Sequence, residues 1–322
     1  MGTESNSSKE HRRRGRPPGK QKKRDISGVQ APGQRITRGP MSPVPRQKTK
    51  ETSPKPHLDE QRASIAHLVD IRGPQRDIYR RVLELREVTI EDDVRRWQIT
   101  QTIFEDALLR LDPERLGLSI LYARLMPPRE DGIHSLYELE MRGSYPWPFT
   151  LESKAYLGST TLAGTAAMLH RMQRWDDLDS DGRVQIMADD LEQSACAQPL
   201  MLAGRMAGVL VVSSAQPGFF TDSMVCQSVI EYARLLTLAL NDGDFYPFSQ
   251  LHLMPMPDLK WQRAEMSRSY VNRVIACARQ ATLSLPEAEE YVRREMEEEF
   301  ERSESRRQEE ARSASELRST AM

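Results

Sequence analysis

The densest run of chemistry-bearing side chains lies near the start of the chain. Arg12-Arg13-Arg14-Gly15-Arg16-Pro17-Pro18-Gly19-Lys20 is followed closely by Lys22, Lys23 and Arg24. Gly15 has no side chain, so the backbone there can lie deep in the minor groove of a nucleic-acid duplex. Arg14 and Arg16 would then extend along the groove floor while Pro17 keeps the strand extended. A·T-rich tracts narrow that groove and deepen its negative potential, which favours inserted arginines. Arg13, Lys20 and their neighbours would meet phosphates. If about five phosphates are neutralised, log K should fall with log salt at a slope of roughly −4 to −5. The alternative for the same residues is a solvated basic tail with affinity for any polyanion.

Other constellations carry less chemistry. Asp177, Asp179, Asp181 and Gly182 reproduce the opening of a calcium loop, with Val184 at its apolar eighth position. Position twelve is Ala188, where such a loop needs a bidentate Glu, and a polar turn accounts for the aspartates more simply. His11, His57, His67, His134, His170 and His252 are scattered without metal-ligand spacing. Three cysteines, Cys196, Cys226 and Cys277, cannot close a disulfide framework and suit a reducing compartment. Cys196 sits in an apolar strand context, where a thiol behaves as an inert small hydrophobe. P-loop, kinase and Gly-x-Ser-x-Gly patterns are missing. An enzyme is therefore not expected, and no catalytic residue, metal ligand or cofactor is assigned.

The elements that would position these residues follow from composition. Of 322 residues, 38% are hydrophobic and 29% charged, and the mean hydropathy is −0.63. A net charge of −1 hides strong segregation. Residues 1–57 hold fifteen Lys and Arg against four Asp and Glu, whereas residues 286–322 hold seven Arg against twelve Glu. Residues 1–57 are also rich in Pro, Gly and Ser. Too little apolar area is available there to offset roughly 1–2 kcal/mol of backbone entropy per residue, so a disordered basic tail is expected. No apolar run approaches the roughly 18–20 residues that span a bilayer, and the basic start lacks the apolar core of a secretory signal. The expected location is cytoplasmic, without membrane partners.

Helical periodicity begins near Asp59 and runs to Glu87, broken at Gly73-Pro74, so residues 58–90 read as a helical linker. A second helix is expected over 91–111, with Val94, Trp97, Phe104, Leu108 and Leu111 as its stripe, ended by Asp112-Pro113. Residues 116–126 and 135–141 read as strands, 154–157 as a short one, and 162–172 as a helix capped by Thr161. A short helix over 184–191 follows, then paired strands over 195–202 and 206–213. A closing helix, capped by Thr221 and reaching residue 240, presents Val225, Val229, Tyr232, Ala233, Leu236 and Leu240. Beyond it, residues 243–322 form a helical extension. Helix 259–283 has Trp261, Ala264, Tyr270, Val271, Val274 and Ala278 on its apolar side. A further helix, with capping-box spacing at Ser284 and Glu287, is striped by Ala288, Val292, Met296 and Phe300 and frays after Glu301. This order gives an α+β fold: an antiparallel sheet with helices on one face and a pocket on the other.

Three segments resemble parts of the GAF domain, a family of small-ligand sensors, over roughly residues 91–242. Leu157–Gly164 (LGSTTLAG) is similar to the small-residue entry to its pocket helix. Ala195–Leu200 (ACAQPL) is similar to the strand before its hairpin, and Gly208–Phe220 (GVLVVSSAQPGFF) to its last strand and the turn into the closing helix. The tail's Arg14-Gly15-Arg16-Pro17 core likewise resembles an AT-hook.

The GAF resemblance implies a GAF-like sheet with a pocket between it and residues 162–192, lined by Tyr156, Leu162, Met168, Trp175, Met187, Cys196 and Gln198. The alternative for these residues is ordinary core packing. The cyclic-nucleotide signature of the family and its bilin-linking cysteine are not found, so the ligand is unknown. Helices 91–111 and 221–240 would lie side by side, as a homodimer interface or buried within one subunit. The expected protein is a transcription-associated or signalling regulator that senses a small molecule and is anchored to A·T-rich DNA. Its rival is a non-enzymatic interaction adaptor with a ligand-free GAF-like fold.

Overall fold

The computed structural model describes residues 73–89, 91–176 and 189–320. The hook-like segment, the three calcium-loop aspartates and Met187 lie outside the described residues. Helix α1, Arg76–Val88, begins after the Gly73-Pro74 break, and helix α2 spans Asp92–Leu111. Asp112 stops α2 and turns the chain. Its buried carboxylate accepts from the Leu116 and Gly117 N–H groups at 2.7 and 3.2 Å and from the Ser144 hydroxyl at 2.5 Å.

The sheet is antiparallel throughout. Its strands are β1 (Leu118–Leu125), β2 (Leu136–Gly143), β3 (Tyr156–Leu157), β4 (Gln173–Trp175), β5 (Ser194–Leu202), β6 (Arg205–Ser214) and β7 (Tyr246–Pro247), in the order β3-β2-β1-β6-β5-β4 with β7 beside β6. The β5–β6 hairpin turns on Ala203 and Gly204, both at positive φ (49° and 73°), as a two-residue turn requires. Period-two alternation then divides the core. Leu118, Ile120, Tyr122, Leu210 and Val212 face one side; Ala123, Leu125, Val209 and Val211 face the other.

The first side is covered by α1, α2 and α4 (Ser223–Leu236), whose Ile103, Phe104, Val229 and Leu236 are fully buried. On the second side lies α3, Leu162–Leu169. The chain closes with a hairpin of two helices, α5 (Leu259–Ala281) and α6 (Leu285–Thr320). The architecture is thus the α+β arrangement expected from the element order. Among the described residues no helix is long and apolar enough to cross a membrane.

Several local expectations are corrected. Helix α3 stops at Leu169 because His170 adopts a left-handed conformation (φ 53°) and caps it, which frees residues 173–175 to pair with β5 as a strand. Asp222, not Thr221, caps α4, its carboxylate accepting from Met224 N–H at 2.9 Å. Val94 and Trp97 are 40% and 51% exposed. The buried face of α2 is instead carried by Ile99, Ile103, Phe104 and Ala107. On α5 the buried face is Leu259, Gln262, Met266 and Val274, while Val271 points to solvent. Helix α6 runs past Glu301 to Thr320, although Ala288, Val292, Met296 and Phe300 are the stripe it buries.

The hairpin is fastened to the body by an apolar cluster, in which Met266, Val292, Met296 and Phe300 meet Met126, Tyr137 and Tyr156, and by polar contacts. The fully buried Gln262 accepts from Tyr156 N–H at 2.8 Å and donates to the Tyr156 carbonyl at 3.0 Å. Tyr156 in turn donates its hydroxyl to the Arg293 carbonyl at 2.6 Å. Arg129 bridges Glu297 and Glu301, each at 2.9 Å, and Ser135 donates to Glu297 at 2.5 Å.

Candidate functional site

A cleft opens on the sheet face that α1, α2 and α4 leave free. Its floor is Ser119 and Leu121 of β1, Glu138 and Met141 of β2, and Val211 and Ser213 of β6. Period-two alternation puts the β1 and β6 side chains on one side of the sheet, and a bulge at Leu139 brings both Glu138 and Met141 to that side. The N-terminal turn of α3 forms one wall, fixed by Thr161, whose Oγ1 accepts from Gly164 N–H at 3.0 Å and donates to the Gly158 carbonyl at 2.8 Å. A Cβ on Gly164 would lie 1.9 Å from that same carbonyl oxygen, so only glycine lets the helix start this close. Trp147, Leu151, Leu157 and Leu162 supply apolar walls, and Asp189, Glu192, Leu259 and Arg263 complete the lining.

The polar end of the cleft is an unequal charge cluster. Arg263 donates to Glu138 Oε1 at 2.8 Å and also contacts the Asp189 carboxylate. Glu138 Oε2 accepts from Ala155 N–H at 2.9 Å. Burial raises the Glu138 pKa, and the Arg263 guanidinium opposes that rise. Burial acts against the charge on Arg263, but Glu138 and Asp189 outweigh it and hold the guanidinium firmly protonated. Glu192 accepts from the Ser213 hydroxyl at 2.6 Å. Burial lifts its pKa to about 8, with the Ser213 bond and Arg263 pulling down and Asp189 pushing up. Glu192 therefore carries a proton at neutral pH and can donate as well as accept.

Two donors in this lining are unsatisfied. Trp147 Nε1 and Arg263 Nε are buried and have no hydrogen-bond partner, a condition that costs about 1–3 kcal/mol for each neutral group and more for a charged one. The free volume is about 60 Å³, room for a few water-sized groups. As it stands, the cleft suits a small molecule or a small head group rather than a nucleotide.

The pocket candidates fall in several places. Leu162 lines the cleft. Tyr156 packs on the C-terminal hairpin, its ring 5.6 Å from that of Phe300. Met168 is 40% exposed on α3. Trp175 is buried on β4 in the core beside the cleft. Cys196 lies on the opposite face of the sheet, and Gln198, two residues along β5, donates to the Pro199 carbonyl at 3.1 Å. Glu138, Glu192, Ser213 and Arg263 were missed by sequence reasoning. Glu138 on an apolar strand carried a signal, since a lone charge at an inward position demands a partner. Arg263 carried none, because it comes from a helix more than a hundred residues away.

No family model and no curated protein matches this chain. Solved structures similar to it include the free methionine-R-sulfoxide reductase from Neisseria meningitidis in complex with its substrate, at 17% identity over 51% of this chain and 86% of that one, with a TM-score of 0.35. The GAF domain of an Acinetobacter phosphoenolpyruvate-protein phosphotransferase is 14% identical over 51% of this chain and 90% of its own, with a TM-score of 0.36. A further GAF domain structure is 12% identical over 55% of this chain and 89% of its own, with a TM-score of 0.39. At such identities and scores the fold assignment rests on the chain's own strand order and register.

Proposed function

We propose that residues 91–242 act as a GAF-like sensory module that holds a small molecule in the cleft beneath α3, and that the basic tail anchors the chain to A·T-rich DNA. The observation that carries the first half is the pair of buried donors, Trp147 Nε1 and Arg263 Nε, left without partners in a cavity. A ligand with an apolar body and one acceptor-rich head would satisfy both and meet the protonated Glu192. The Arg14-Gly15-Arg16-Pro17 sequence supports the second half. Ligand binding would act on the tail only through differing affinity for two arrangements of the helices.

A thermal-shift screen of metabolites on the full chain tests the cleft. At least one compound should raise the melting temperature, and Trp147→Phe should weaken that response. Silence across broad sets would favour the adaptor reading, which the insertion of the chain's own Arg263 into the cleft also supports. Mobility shifts on A·T-rich and G·C-rich duplexes at several salt concentrations test the tail, and equal binding to both would remove the hook. A homodimer through α2 and α4 is proposed alongside, supported by the exposure of Val94, Trp97 and Leu109 on α2.

A further inference from the structure

On the sheet face away from the cleft, two cysteines meet beside an arginine. Cys196 is fully buried on β5, and its cross-strand partner on β4 is Arg174. Cys226 lies in the first turns of α4 and is 8% exposed. Both cysteines belong to one buried cluster, and Arg174 borders each of them. Arg174 Nη1 stands 3.7 Å from Cys226 Sγ and donates to the Phe220 carbonyl at 2.5 Å. The Cys226 thiol donates to that same carbonyl at 3.3 Å. Asp176 lies 3.7 Å from Arg174 Nε. The arginine side chain is 43% exposed, so the cluster borders solvent on the Arg174 and Cys226 side, while Cys196 is fully enclosed.

This surrounding separates the roles of the two thiols. The Cys196 S–H, the Arg174 guanidinium and the positive end of α4 favour a thiolate at Cys226, against burial, Asp176 and the Phe220 carbonyl, which favour the thiol. Accordingly the Cys226 thiol is pushed below its ordinary range, first by the bond from Cys196, while that bond and burial push Cys196 well above. One sulfur is ready to attack and the other keeps its proton beside it.

We propose that Cys226 and Cys196 form a peroxide-reactive dithiol, with Cys226 attacking and Cys196 resolving. The Cys226 thiolate attacks one peroxide oxygen; an S–O bond forms, the O–O bond breaks, and hydroxide leaves to take up a proton. Cys196 then attacks the sulfenic sulfur; the S–S bond forms, the S–O bond breaks, and the thiol proton departs with the oxygen as water. Two thiols and one peroxide become one disulfide and two waters. Closure ties the start of α4 to β5.

The test treats the reduced full chain with equimolar hydrogen peroxide, then maps peptides without reduction. A Cys196–Cys226 peptide lighter by two hydrogens is expected. Cys196→Ser should leave a sulfenic acid on Cys226 that dimedone captures, and Cys226→Ser should leave Cys196 unmodified. Should either variant fail to fold, alkylation of the native protein decides. Cys226 should react faster than Cys277 at pH 7, and at pH 5, where the thiolate fraction falls tenfold for each unit of pKa, Arg174→Gln should slow Cys226 about tenfold. A bridge between molecules or to Cys277, or Cys226 alkylated no faster than Cys277, overturns the proposal.

Discussion

The sheet has two differently built faces. Under α1, α2 and α4 the filling is apolar and continuous, with Ile103, Phe104, Ile120, Val212, Val229 and Leu236 each at most 1% exposed. The opposite face sets Glu138, Glu192, Ser213 and Arg263 among leucines and valines, and the adjoining hairpin adds Gln262 and the Arg129–Glu297–Glu301 bridge to its apolar contacts. An apolar face tolerates approximate complementarity, since any side chain of suitable volume gains from burial. A polar face works only when every member finds its partner. Trp147 Nε1 and Arg263 Nε, the unsatisfied donors of the cleft lining, lie on that second face, which is why it is read as the binding surface and the first, despite the unpartnered Thr100 hydroxyl of α2, as scaffold.

The largest expected effect comes from opening the scaffold. Phe104→Ala should cost about 3–5 kcal/mol in denaturant unfolding, and a loss below about 1 kcal/mol would show that the helical face is not close-packed. Next comes the ion pair. Arg263→Met leaves the Glu138 carboxylate buried without its cation and should cost about 3 kcal/mol, the low end for a buried pair because Arg263 keeps 24% of its side chain in solvent. Adding Glu138→Gln should restore most of that stability; if the double variant is as weak as the single, the two residues are not coupled.

A smaller effect is pH-dependent. The Glu192 pKa rises on folding from 4.5 to about 8, so the folded state binds its proton more tightly than the unfolded state. The stability it contributes is complete below about 4.5 and is lost as pH climbs to about 8. Glu192→Gln should flatten melting temperature against pH across that window, and an unchanged profile would place the titrating group elsewhere. The smallest effect is expected at Trp97 of α2. Trp97→Ser should change stability by no more than about 0.5 kcal/mol yet lower the mass measured by light scattering if the proposed dimer forms there.

How much was legible follows the same division. The stripe Val225, Val229, Tyr232, Ala233, Leu236 and Leu240 is buried as its spacing implies, and so is Ala288, Val292, Met296 and Phe300, because one uniform apolar partner rewards strict periodicity. Helix α5 defeated that approach. It packs by Gln262 and Arg263 as much as by Met266 and Val274, and no rule of spacing marks a glutamine as interior. The cleft was obscured for a related reason. Its polar end joins β2, β6, the segment around residue 190 and a helix beyond residue 258, and only the folded chain brings those together. Leu162 was accessible because it opens the helix that forms the wall.

Gln262 has one more consequence. By engaging both the N–H and the carbonyl of Tyr156, it acts as a surrogate strand alongside β3, the outermost ribbon of the sheet. A shortened version of the protein ending before Asp258 would leave that border with free donors and acceptors flanked by Tyr137 and Leu157. Such a margin is a template for a neighbouring molecule to add its own strand. The terminal helices thereby guard the protein against self-association and sticky fibrous assembly.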